Sequence, residues 1–406
     1  MENELPIGRR VAYWRGRRKM SQQVFGDRIG KSKSWVDKVE RGERRLDKYS
    51  VVHTIAGALG ISVDVLLGGG ENTARVTPTE PIDLDGIRRT LSRFAPVAYL
   101  GTSRTGPLLH ELEQAVTHAW LTCQYGRYDV LVHALPRLLR DVHTAEGYHS
   151  GDNRIRAASL VGQVYQVISS VTRKLGAHDL ARLAAERSID AALRADDPLL
   201  AGTGTTRFAN ALLAASDVRA AFEANIVMAH RLAPNGPTWA DADRVSVYGS
   251  LLLQGAMAAA HLGDNPSVRE LLREAQVAAT ALGRDDNRYR TSFGPTNVEL
   301  HRTAAAVELG DGRQAIATHN ALPPRPFAAL MPERRAHALL DVARGYLLVG
   351  DMARAGDALL EGDQHAPAEI RSRPMARDIM SAVLRGTRGA PPALVAELAD
   401  RMGARV

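Results

Sequence analysis

Residues 31–45 read KSKSWVDKVERGERR, and six of the fifteen are Lys or Arg. Lys33, Ser34 and Lys38 offer hydrogen-bond donors at helical spacing. Such a set suits the acceptor-rich edges and phosphates of a polyanion rather than catalysis. Trp35, Val36 and Val39 exclude a plain solvated charge run. In a helix over 32–41, Val36 and Val39 face a core while Lys33, Ser34, Asp37 and Lys38 project to the other side.

Other constellations carry less chemistry. GTGTTR at 202–207 suggests a phosphate loop, but no strand precedes it and no GK[ST] follows, so a glycine pair easing helix packing is the better reading. His143 and His149 flank Glu146 in HTAEGYH, yet i, i+6 spacing does not stack two imidazoles on one helix face, and a solvated loop is expected. The single cysteine, Cys123, excludes an intramolecular disulfide and a Cys-based zinc site, which fits a reducing compartment. No GxSxG, HExxH or paired-carboxylate motif occurs in a catalytic context. The sequence therefore predicts no enzyme, no metal and no cofactor. No window approaches the apolar run of about 18 residues that a membrane span needs, and a cytoplasmic protein is expected.

The elements that must position the basic segment are short helices. Ile7, Val11 and Trp14 recur at i, i+4 and i+7. Ser21 caps QQVFGDRI, which stops at Gly30; Ser32 caps KSWVDKVER, which ends at Gly42. A fourth helix runs from about Asp47 to Gly60, and Ser62 caps a fifth, VDVLL. Two short helices joined by a tight turn containing Gly have helix-turn-helix geometry, whose second helix enters the major groove. Charge agrees: residues 1–66 hold 14 Lys and Arg against 8 Asp and Glu, and so carry +6 of the chain's net +7.

SQQVFGDRIGKSKSWVDKVERGERR followed by LDKYSVVHTIAGALGISVDVLLG resembles the XRE (Cro and phage repressor type) DNA-binding domain. The resemblance covers the Ser-Gln opening, the Ile-Gly turn, the Val-Glu-Arg-Gly helix end and the closing segment. It implies that Gln22 hydrogen-bonds a phosphate and buttresses the recognition helix. It further implies that Lys33, Ser34 and Lys38 read bases, and that Arg41, Arg44 and Trp35 lie along the DNA backbone. Packing of Trp35 on the first helix is the other reading. Gly26 departs from the family's Ala, which weakens the helix by up to about 1 kcal/mol.

LLGGGENTARVTPTEPIDLDG reads as a linker, giving domains at 1–67 and 87–406 joined by 68–86 and folding separately. Beyond it, turns recur as YGRYD, LGAHD, ASDVR, LGDNP, LGDGR and VGDMA near 126, 176, 216, 263, 310 and 350, each between two apolar-periodic segments. Helix pairs at such intervals predict an all-α chain: a five-helix helix-turn-helix domain followed by an α-solenoid of helical hairpins. Ala184, Ala185, Ala191, Ala192 and Ala258 to Ala260 are small residues where helices approach closely. The hairpins resemble tetratricopeptide units, although none carries the full pattern.

The combination resembles the peptide-sensing regulators of Gram-positive bacteria, and FGPTNVELH, RYDVLVHALPRLLRDV and DLARLAAERSIDAALRADDP look like a related actinobacterial group. The resemblance implies a homodimer on a pseudo-palindromic double-stranded DNA operator, with a small-molecule or peptide effector in the solenoid. Asparagines would hold the ligand, because an amide offers both donor and acceptor. The candidates are Asn210, Asn225 and Asn297, with Arg207, Phe293 and His301 as neighbours; a cap or an interhelix bond is the alternative for each Asn. An adaptor that uses the solenoid to bind a partner protein is the rival function.

Overall fold

Hydroxyl oxygens start the N-terminal helices where the sequence places them. Ser21 Oγ accepts from the Val24 N–H at 3.2 Å and Ser32 Oγ from the Trp35 N–H at 3.1 Å, satisfying donors that have no partner in a first turn. The structure is a computed structural model that describes residues 6–18, 20–44, 46, 49–59, 61, 66, 82–92 and 107–404. Its first helices are α1 (Ile7–Arg17), α2 (Gln22–Arg28), α3 (Lys33–Glu40) and α4 (Tyr49–Leu59). The expected fifth helix falls largely outside the described residues. Val11, Phe25, Val36, Val39, Val52, Ile55 and Leu59 form the core of this module. At Gly26 an added Cβ would stand 2.6 Å from the Lys31 carbonyl oxygen, so glycine allows the α2–α3 turn to fold tightly here.

The last five residues of the presumed linker belong to the body. Asp83 accepts from the Asp85 N–H to open α5 (Asp85–Ser92), and Ile82 and Leu84 pack on the body's core because both are apolar. Residues 68–81 lie outside the described residues.

The body consists of six hairpins, each turned where the recurring punctuation falls. They are α6 (Leu109–Gln124) with α7 (Tyr128–Tyr148), α8 (Gly151–Lys174) with α9 (His178–Arg194), and α10 (Pro198–Ala214) with α11 (Val218–Leu232). Next come α12 (Ala242–His261) with α13 (Asn265–Leu282), α14 (Pro295–Glu308) with α15 (Gly312–Asn320) and, after α16 (Pro324–Ala329), α17 (Pro332–Leu348) with α18 (Met352–His365). The short α19 (Pro367–Arg371), α20 (Pro374–Gly386) and α21 (Ala393–Met402) complete it.

Gly126, Gly176, Ser216, Gly263, Gly310 and Gly350, one in each hairpin turn, all have φ between +65° and +84°. Asp264, Asp311 and Asp351 then cap the following helix, at 3.2, 2.9 and 3.0 Å. Small residues permit the stacking: Gly202 sits so tightly that a Cβ would stand 2.7 Å from Leu232 and Val247, which identifies GTGTTR as a packing face of α10. Among the described residues the chain is all-α, a helix-turn-helix module followed by a helical-repeat body.

The hairpins curve until the first meets the last. Lys174 at the end of α8 bonds Glu369 of α19 at 2.6 Å and also Glu333 of α17, while Gly126 abuts Ala366. HTAEGYH is not a solvated loop, because Glu146 is buried on α7 and accepts from Arg194 at 2.6 Å. Its carboxyl is held down to about 2: burial pushes it up, but hydrogen bonds from His143 and Arg194 outweigh that.

Candidate nucleic-acid interface and central cavity

Buried valines fix the outward face of α3. Val36 and Val39 are at most 1% exposed, whereas Lys33, Ser34 and Lys38 are exposed and have no partner among the described residues. Around them the basic groups are held in different ways. Arg41 is ion-paired to Asp37 at 2.7 Å and to Glu43 at 3.1 Å, but both pairs are exposed, and exchange for a phosphate costs little. Trp35 is half-buried, with Lys31 at 5.8 Å and Arg44 at 5.7 Å over its ring, so it spaces two cations rather than packing wholly on α1.

The Gln22 amide nitrogen donates to Glu40 at 2.9 Å and Asp37 at 3.4 Å, which braces α2 against α3. Glu40 is buried and also accepts from Arg15 at 2.6 and 3.0 Å, which joins α1 to the same brace.

The module is docked on the body rather than joined by a linker alone. Leu121 of α6 and Tyr125, which caps that helix, are part of the module's core. Arg10 is 3% exposed; it donates to the Leu66 carbonyl at 2.8 Å and meets His118 Nε2 at 3.0 Å. Burial lowers its pKa to about 10. Gln114 Nε2 donates to the carbonyl of Gly42, in the turn after α3, at 2.6 Å.

The opposite side of α6 lines a cavity of about 270 Å³ between the hairpins. Trp120, Cys123 and Gln124 come from α6, Ser170, Arg173 and Lys174 from α8, and Arg207 and Asn210 from α10. Gln254 comes from α12, His301 from α14, Arg334 and His337 from α17, and Arg373 from the start of α20. The Arg207 guanidinium lies 5.8 Å from the Trp120 ring centroid. A small adjoining enclosure brings Arg207 and His301 together with Thr203, Asn297 and Arg334. Burial, with Arg334 nearby, lowers His301 to about 4, so it is neutral at pH 7; its ring nitrogens meet the Asn297 carbonyl at 2.8 Å and Gln254 at 3.1 Å.

Three of the six candidate ligand residues, Arg207, Asn210 and His301, thus line the cavity, and Asn297 lines the enclosure that adjoins it. Two do not. Asn225 is wholly buried and donates to the Ala221 carbonyl at 2.9 Å within α11. Phe293 is a core residue that fills the gap at Gly249, where a Cβ would stand 2.0 Å from its ring.

Sequence reasoning missed Trp120, Gln124, Arg173, Arg334 and the segment between α13 and α14. In that segment Tyr289, Arg290 and Ser292 have φ of 46°, 60° and 51°, uncommon for non-glycine residues and a mark of stored strain. Its Asn287 exchanges amide hydrogen bonds with Gln124 of α6 at 3.0 and 3.2 Å. The polar run RDDNRYRTS between two apolar helices was the available signal.

A family model described as a helix-turn-helix domain matches residues 6–67. No curated protein and no solved structure matches the chain. The N-terminal segment is a helix-turn-helix domain, and among the described residues no helix is long and apolar enough to cross a membrane.

Proposed function

We propose that this chain is a cytoplasmic transcriptional regulator in which an XRE-type domain, 1–67, reads an operator half-site and a tetratricopeptide-like body, 87–406, senses an effector. The observation that carries the reading is α6, one helix with two occupied faces. Leu121, Tyr125 and Gln114 engage the DNA-binding module, while Trp120, Cys123 and Gln124 line the cavity. A ligand that shifts Trp120 or Gln124 moves the surface on which the recognition helix is seated. The cavity of about 270 Å³ shares Trp120, Arg290 and Ser292 with a neighbouring space of about 930 Å³, which gives room for a small-molecule or peptide effector. A single module of this size reads a short half-site, so specific binding calls for a homodimer on a pseudo-palindrome with half-sites about one helical turn, or a multiple, apart.

Genome-wide mapping of bound sites supplies the operator, and fluorescence anisotropy then tests the assignment. Lys33→Ala and Lys38→Ala each weaken operator binding by about 1 to 3 kcal/mol and relax preference at one position. Arg44→Ala weakens operator and random DNA alike and lowers the salt slope by about one. If all three act equally on both DNAs, α3 does not read bases. If operator affinity is the same whatever cell extract is added, the body is no sensor.

A further inference from the structure

Donors dominate the cavity wall, and several have nothing to donate to. Arg207 Nε and Arg334 Nε are buried without a hydrogen-bond partner, as is the indole N–H of Trp120, itself 2% exposed. Lys174, Arg344 and Arg373 nearby are matched by Glu333, Glu369, Glu308 and Asp341, but no carboxylate among the described residues pairs with Arg207 or Arg334. Arg173, on the same wall, has none either.

Burial lowers the pKa of Arg207 although Cys123 and Glu333 pull it up, and burial with Arg373 nearby brings Arg173 down to about 10 against the pull of Glu369. Like charges are therefore gathered on one half-buried wall, an arrangement that costs stability unless something neutralises it. His301 and His337 do not add to the charge, because burial holds both neutral at pH 7.

We propose that the central cavity binds a small anionic metabolite, with its carboxylate or phosphate seated between Arg207 and Arg334 against the indole N–H of Trp120. Guanidinium groups suit both anions, since their forked donors match two oxygens at once. Asn210 and Gln254, which also line the cavity, supply amides for the uncharged part of the ligand. The inference rests on the sensing role proposed above and names the class of effector.

The test uses the full chain, titrated with sodium phosphate and, separately, sodium citrate against sodium chloride at matched ionic strength. The readouts are the thermal midpoint and tryptophan fluorescence. At least one anion raises the midpoint saturably, as a ligand that binds only the folded state must, and changes the fluorescence. Which anion does so separates phosphate from carboxylate recognition. Arg207→Met and Arg334→Met each weaken that binding by roughly thirtyfold or more.

Without anion, Arg207→Met is no less stable than the parent, since it removes an unmatched buried charge; a lower midpoint would identify Arg207 as a structural cation and overturn the proposal. So would indifference to both anions, or equal responses from the parent and both variants. Operator binding is read in parallel. Anion binding without a change in operator affinity leaves this site standing and removes the sensing role, whereas a response to cell extract but to neither anion does the reverse.

Discussion

Glu369→Gln lowers the stability of the body by about 3 to 5 kcal/mol, the range for removing one member of a buried ion pair. Glu369 is wholly buried on α19 and accepts from Lys174 and Arg373, each at 2.6 Å, and from Tyr128. These bonds tie the second helical hairpin to the last, across 195 residues of sequence for Lys174 alone. A glutamine keeps the volume but leaves Lys174 and Arg373 facing Glu333 as their remaining carboxylate, with His337 also against Arg373 at 2.6 Å.

Urea unfolding followed by circular dichroism measures the loss, and Lys174→Met combined with Glu369→Gln recovers part of it because the orphaned ammonium is gone. A change below about 1 kcal/mol in the single variant would show that the network contributes no closure. The pH dependence has a definite sign. Burial alone would raise the Glu369 carboxyl, but Lys174, Arg373 and His337 outweigh it and hold the group well below the usual range. A depressed folded pKa means that the unfolded chain binds more protons in acid. The contribution is complete above the unfolded value of about 4.3 and is lost as pH falls through the folded one. The gap between parent and variant is therefore constant from pH 6 to 8 and narrows in acid.

What could be read from the sequence was local. Ser21, Ser32 and the Gly or Ser of each hairpin turn act through bonds and dihedrals within a few residues, and there the helix starts and stops fall where expected. The outward set Lys33, Ser34 and Lys38 is likewise a matter of helical period. The cavity is a matter of closure. Trp120 and Arg334 meet around one space only because six hairpins bring the ends of the body together, and no spacing in the chain encodes that. Arg207 and His301 were legible as polar residues at helical spacing, but so was Asn225, which the same periodicity turns into the core of α11. Phe293 sits two residues before α14 and looks available, yet Gly249 of α12, more than forty residues earlier, leaves the hole that its ring fills.

Leu121→Ala separates the two functions of α6. Leu121 is wholly buried, and its surroundings are the module's core, with Val11, Phe25 and Val39; its neighbours Val116, Trp120 and Cys123 are part of the body's core instead. Truncating a buried leucine costs about 2 to 5 kcal/mol, and here the cost falls on docking rather than on the hairpins. Hydrogen exchange in residues 7–59 should accelerate by roughly thirtyfold or more while exchange in α8 to α14 stays as it was. Val116→Ala is the converse, because it loosens the body around Trp120 and leaves the module's interior filled.

The consequence for regulation follows from linkage. If effector and operator communicate through the seat that α6 provides, a module that spends much of its time undocked binds DNA with an affinity that no longer depends on the effector, and the effector's affinity no longer depends on DNA. The two losses must be equal as free energies. Titrating each ligand in the presence and absence of the other measures both. Coupling that survives Leu121→Ala undiminished, with the module shown to be loosened, would place the route outside α6, and the amide pair between Gln124 and Asn287 would then report on the cavity alone.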